Sequence, residues 1–209
     1  MRRFLMPLCL PLLLGASDTF LYRCGDDFHF TARFEKGGVW LFLPKRSVKL
    51  PFIDGRHPGE KRFSEGSVSL AVEGESAVLL EGGRVHASCR NDRRAAIWEK
   101  AKLDGVDFRA VGNEPPWILE ITGDRFDFFY GYGKKRFSFR AKPRVDRDKS
   151  ETRYVADAGG TPFEVTLRPD PCRDSMADET YETRVEVVWK ARRLMGCGMA
   201  LHCDKLRKG

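Results

Sequence analysis

The sequence predicts an all-β protein: two small antiparallel β-barrel domains joined by a short linker helix. Three observations carry this. Short segments of alternating apolar and polar residues recur along the chain, separated by glycine-containing turns. One stretch, residues 91–105, has helical character. The only long apolar run lies at the start, which excludes a multi-span helical membrane protein.

Residues 1–17 read as a signal peptide. Arg2 and Arg3 supply positive charge, an apolar stretch runs over 4–14, and Gly15, Ala16 and Ser17 offer a cleavage site. The expected location is periplasmic or secreted. Cys9 lies inside the apolar run rather than after it, so lipid attachment there is not expected. Cleavage lowers the net charge from +7 to +5 and leaves five cysteines: Cys24, Cys89, Cys172, Cys197 and Cys203. In an oxidising compartment these predict two disulfides and one remaining thiol, with the pairing open. Lys and Arg are interspersed with Asp and Glu, the pattern of a mixed, solvated surface, so nucleic acid is not expected as a partner.

The first domain is expected over residues 18–91. Phe28, Phe30, Ala32 and Phe34 alternate with His29, Thr31 and Arg33. Val39, Leu41 and Leu43 alternate with Trp40 and Phe42, and Val68 and Leu70 with Ser67 and Ser69. Segments 76–80 and 84–88 complete the set, with turns at Gly37-Gly38, Asp54-Gly55, Pro58-Gly59, Glu65-Gly66, Glu73-Gly74 and Gly82-Gly83. Residues 92–105 form the linker helix. Asp92 can cap its start, Gly105 can end it, and Ile97 and Trp98 are expected to pack against a domain.

The second domain is expected over 106–209, with strands at 108–111, 117–122, 125–130, 136–140, 152–157, 163–168, 183–189 and 192–195. The charge-dense stretch 142–153 is expected to be an exposed loop. No G-x-S-x-G, H-E-x-x-H, phosphate-loop or nucleotide-binding glycine pattern is present. The histidines His29, His57, His86 and His202 are scattered, and His29 and His86 are expected at the surface or rim. Cys197, His202 and Cys203 make a weak zinc pattern, for which disulfide chemistry is preferred. No cofactor, metal or catalytic residue is expected.

Residues 22–89 carry a set of ordered marks: Tyr22-Arg23-Cys24, then K-R-F-S-E-G at 61–66, then V-E-G-E-S-A-V-L at 72–79, then Cys89. In that order they resemble the membrane-bound lysozyme inhibitor of C-type lysozyme (MliC-like) family, with its Y-x-C, S-A-S-G-A-R-Y-S-D-G, K-G-D-E-A and closing Cys. The resemblance implies an eight-stranded antiparallel barrel closed by a Cys24–Cys89 disulfide. It also implies a loop that enters a lysozyme cleft, where a serine and a lysine reach the catalytic carboxylates. This sequence departs from the pattern. Its loop is longer, the serine position falls near Pro58 or Gly59, the lysine position is Glu73, and Phe63 replaces tyrosine. A glutamate facing two carboxylates repels them. Arg56, His57, Lys61 and Arg62 either substitute from the longer loop or simply solvate a hairpin tip. The contact candidates are therefore Arg56, His57, Lys61, Arg62, Phe63, Ser64 and Glu73. The implied function is protection of peptidoglycan by inhibition of C-type lysozyme, without chemistry. The alternative is a non-inhibitory envelope protein that binds a cell-envelope component.

The second half carries Phe108-Arg109-Ala110, G-N-E-P-P-W at 112–117, P-C-R-D-S-M at 171–176 and L-M-G-C-G at 194–198. It is similar to an uncharacterised domain family of bacterial envelope proteins and lipoproteins, with Ala177-Asp178 where that family has Ser-Gly. The resemblance implies a small β-barrel and a Cys172–Cys197 disulfide. Cys203 is then the odd thiol, free, linked to another chain, or competing for Cys197. Glu114 and Asp174 are the only acids in motif-like settings. A two-carboxylate hydrolase is conceivable if both reach one pocket; roles in turns are preferred, with Glu114 before Pro115-Pro116 and Asp174 and Ser175 holding a tight turn. Trp117 is expected in the core.

Overall fold

The computed structural model describes residues 19–202. The expected signal peptide at 1–17, with Cys9, and the odd thiol Cys203 lie outside the described residues. The described residues form two compact units that divide inside the helix, between Ala96 and Ile97.

The first unit is a closed barrel of eight antiparallel strands in sequence order. They are β1 (Thr19–Arg23), β2 (His29–Glu35), β3 (Gly38–Leu43), β4 (Arg46–Ile53), β5 (Glu60–Glu65), β6 (Val68–Glu73), β7 (Ser76–Glu81) and β8 (Arg84–Asn91). Every second residue points inward, so Tyr22, Phe30, Leu41, Leu50, Phe63, Leu70 and Leu79 fill the interior. The Tyr22 hydroxyl finds no partner there, and burial, aided by the nearby Glu75 charge, pushes its pKa up. Gly82 and Gly83 both take positive φ, as the two-residue β7–β8 turn requires. The Cys24–Cys89 disulfide ties β8 to the loop after β1.

One expectation fails here. His86 is buried rather than at the surface or rim. A bulge between β7 and β8 shifts the register between the Leu79–His86 and Ala77–Cys89 pairs. Two residues rather than one thus separate two inward positions, and His86 and Cys89 both face in. His86 stacks on Phe28 at 3.8 Å, and its Nδ1 lies 2.8 Å from Asp26 Oδ2.

The helix α1 (Arg93–Leu103) starts as expected, with the Ala95 amide donating to Asp92 Oδ1 at 3.1 Å. Its packing corrects the expectation for Ile97, which is 52% exposed. Trp98 does pack: its ring lies 5.0 Å from Tyr181 and against the Cys172–Cys197 cluster, within the second unit.

The second unit is a nine-stranded antiparallel sheet in the order β12-β11-β10-β9-β19-β18-β15-β14-β13. The strands are β9 (Phe108–Asn113), β10 (Pro116–Thr122), β11 (Arg125–Tyr130), β12 (Lys135–Arg140), β13 (Pro143–Asp146), β14 (Glu151–Asp157), β15 (Pro162–Arg168), β18 (Thr183–Trp189) and β19 (Arg192–Ala200). A short hairpin, β16 (Cys172–Asp174) and β17 (Glu179–Tyr181), accompanies it. The sheet curls into a half-barrel, because Phe126, Phe128 and Phe139 from one side share a core with Phe163, Tyr154 and Trp189 from the other. The stretch 142–153, expected as a loop, instead supplies β13 and the start of β14, joined by a tight turn. Buried Glu151 accepts from Arg153 and Arg168, which pairs in turn with Glu186. Buried Arg109 is paired with Glu120 and lies 5.6 Å over the Trp98 ring. Its burial depresses its pKa, and the Glu120 pair opposes this.

The marks Gly112, Trp117 and Gly196 form one packing unit. A Cβ on Gly112 would lie 2.1 Å from Trp117 Nε1, and one on Gly196 would lie 2.3 Å from the Val111 carbonyl and 2.5 Å from the Trp117 ring. Only glycine lets the buried indole lie flat on β9 and β19. Gly196→Ala should therefore destabilise the second unit by about 1–3 kcal/mol in urea denaturation followed by tryptophan fluorescence. An unchanged midpoint would show that the indole has room to move. Removing both Cys24 and Cys89, whose bridge closes a loop of sequence separation 65, should cost roughly 4 kcal/mol in the same assay.

Candidate functional site

The sequence-predicted contact residues lie on β5, the loop before it and the end of β6. The pleat divides them. On β5, Phe63 points inward and is buried, and Lys61, two residues earlier, shares its face at the mouth of the barrel. Arg62 and Ser64 face outward. Ser64 lies at the far end of β5, where its hydroxyl donates to the Val68 carbonyl at 3.3 Å. Glu73 is paired across the ladder with Glu60, on the outward face. Lys61 and Phe63 thus meet at the mouth with the loop 54–59 beside them, while Arg62, Ser64 and Glu73 do not converge there.

The loop 54–59 is exposed and has bonds of its own. The Arg56 amide donates to Glu60 Oε2 at 2.5 Å, and the Glu60 amide donates to the His57 carbonyl at 3.2 Å. These fix a tight tip with the Arg56 and His57 side chains in solvent. No carboxylate pairs with the Arg56 guanidinium or the Lys61 ammonium among the described residues. The β4–β5 seam beside the loop is short, with only the Phe52–Phe63 and Ile53–Arg62 pairs.

The mouth itself is an aromatic cup of about 420 Å³. Phe20 packs on Phe34 at 5.3 Å, Phe34 on Phe63 at 5.5 Å, and Phe63 on Phe52 at 5.7 Å. Phe52 is 49% exposed at the lip. Sequence reasoning missed Phe20, Phe34 and Phe52 as site residues, because inward alternation assigns such positions to core. The signal available was that they lie at strand ends, with Phe34 and Phe52 close to glycine-containing turns.

The second unit carries a different cleft, of about 430 Å³. Three of the four motif segments meet in it: Asn113 and Glu114 from 112–117, Arg173, Asp174 and Ser175 from 171–176, Gly196 and Cys197 from 194–198. Glu114 and Asp174 do share this cleft. Asp174, however, is buried and its Oδ1 accepts from Asn113 Nδ2 at 2.6 Å and from the Met176 and Ala177 amides at 2.9 and 3.2 Å. That carboxylate holds a turn, as preferred from the sequence. Among the described residues, no group of three or more His, Cys, Asp or Glu could hold a metal ion. His202 Nε2 lies 3.2 Å from the Lys102 carbonyl.

Comparison with known proteins adds no assignment: no family model matches the chain, and neither curated proteins nor solved structures give a match.

Three carboxyls support the first unit electrostatically. Burial works to raise Asp26, but the His86 bond and charge, with two backbone amides, hold it below the ordinary range. Glu75 is lowered by the Arg93 and then the Asn91 hydrogen bond, and Asp92 by Arg23 and the Ala95 amide. Each gives up its proton more readily folded than unfolded. Their stabilisation is complete above the ordinary carboxyl range, about pH 4, and is lost as pH falls through the lowered folded values. Urea midpoints of the first unit should therefore be higher at about pH 5 than at about pH 3. A midpoint that rises on acidification would contradict these pairs.

Proposed function

We propose that the protein is an exported, non-enzymatic inhibitor of C-type lysozyme that protects peptidoglycan by inserting its barrel-mouth loop into the enzyme cleft. The observation that carries this reading is the loop 54–59 itself. It is an exposed, internally bonded tip that presents Arg56 and His57 beside Lys61, with no carboxylate on the Arg56 guanidinium or the Lys61 ammonium among the described residues. A lysozyme cleft offers paired carboxylates, and unpaired guanidinium and ammonium groups can donate charge-assisted hydrogen bonds to them. The eight-stranded barrel and the Cys24–Cys89 bridge are those the family resemblance implies. Two disulfides fit an oxidising compartment, in keeping with a periplasmic or secreted location.

Under this reading the work of the missing family serine and lysine passes to the loop cations. Glu73, at the lysine position, faces outward with Glu60. A second reading, an envelope-binding protein without lysozyme affinity, is favoured by that same pair, because two carboxylates flank the tip.

Purified protein titrated into a C-type lysozyme assay should suppress hydrolysis at micromolar concentration. The double variant Arg56→Ala/Lys61→Ala should need at least about tenfold more protein for the same effect. Unchanged hydrolysis at micromolar excess of the native protein would reject the inhibitor reading. Recovery of an envelope component, and no lysozyme, in native pull-downs would favour the second.

A further inference from the structure

The aromatic cup at the barrel mouth is more than the inhibitor reading uses. A barrel this small fills its interior with side chains, and here Tyr22, Phe30, Leu41 and Leu70 do so. The space left over is therefore confined to the mouth. Four glycines, Gly37, Gly38, Gly59 and Gly74, line the cup and contribute no side chain to fill it. Its floor is Phe63, its walls Phe20 and Phe34, and its lip the half-exposed Phe52. Ile53, next along the strand, is 38% exposed. Apolar surface left open at a concave site marks a place for a ligand.

Two charged groups line the cup, Lys61 and Glu35. Glu35 is compensated, since Lys49 Nζ lies 3.8 Å from its carboxylate. Lys61 has no such partner among the described residues. Of the charged groups that line the cup, the uncompensated one is thus a single ammonium above a set of rings.

We propose that the cup binds an anionic amphiphile, with one short alkyl chain against Phe20, Phe34, Phe52 and Phe63 and a carboxylate or phosphate head on Lys61. The apolar chain gains by leaving water, and the head supplies the orientation. The proposal stands on the cup and not on lysozyme affinity, so either can fail without the other.

The test is calorimetric titration of the whole protein with dodecanoate and dodecyl phosphate below their micelle concentrations. Dodecanol and dodecyltrimethylammonium serve as neutral and cationic counterparts. Vesicles of phosphatidylglycerol, scored by co-sedimentation, distinguish a membrane headgroup from a free amphiphile. One-to-one binding of the anions is expected. Lys61→Glu should weaken it at least about tenfold and favour the cation, and Phe52→Ala should weaken all chains. Both side chains are exposed enough for the fold to tolerate the change, which circular dichroism would check. Binding by vesicles alone, lost in both variants, also supports the proposal and assigns the head to a lipid surface. Equal binding of the cation and the anions, anion binding unaltered by both variants, or no binding to any probe would overturn it.

Discussion

Side chains on a β-strand alternate between two faces, and in this closed barrel that alternation gives way at the bulge between β7 and β8. A ring of strands has no edge at which one strand could slip by a residue without turning its whole apolar set outward. The placement of Phe63 in the interior therefore decides much else. Lys61 must share its face at the mouth, and Arg62 must face away. Phe63 is also the hub between Phe34 and Phe52, so one inward ring fixes both the floor of the cup and the charge at its lip.

The same alternation made most of the fold legible. The runs at 39–43, 68–72, 163–167 and 183–189 each bury every second side chain or nearly so. What escaped has identifiable causes. Strand β13 is exposed along most of its length and sits at the edge of its sheet, where charge protects an open ladder. Its residues therefore carry no apolar signal to read. His86 escaped because a bulge changes the period from two to three, and a bulge has no composition of its own. On the helix, one of two adjacent apolar residues packs and the other does not: Trp98 meets Tyr181, while Ile97, one position earlier, is turned to solvent.

The candidate site was legible in part. The loop and Lys61 came from the ordered marks of the resemblance, and their separation from Arg62, Ser64 and Glu73 came only from register. In the second unit the motifs read differently once packed. Gly112, Gly196 and Trp117 exist for each other, and Asp174 for the turn it holds. Among the exposed residues of that cleft, Arg173 is taken up by Asp178 and Arg193 by Glu186.

Function on this account is concentrated at one end of one barrel, between the short β4–β5 seam and the loop it carries. Hydrogen exchange measured on the protein mixed with a C-type lysozyme examines that placement directly. Slowed exchange confined to residues 52–63 and the neighbouring turns at 36–37 and 74–75 is the predicted result. Protection confined to the second unit, or to the opposite turns at 66–67 and 82–83, would contradict it.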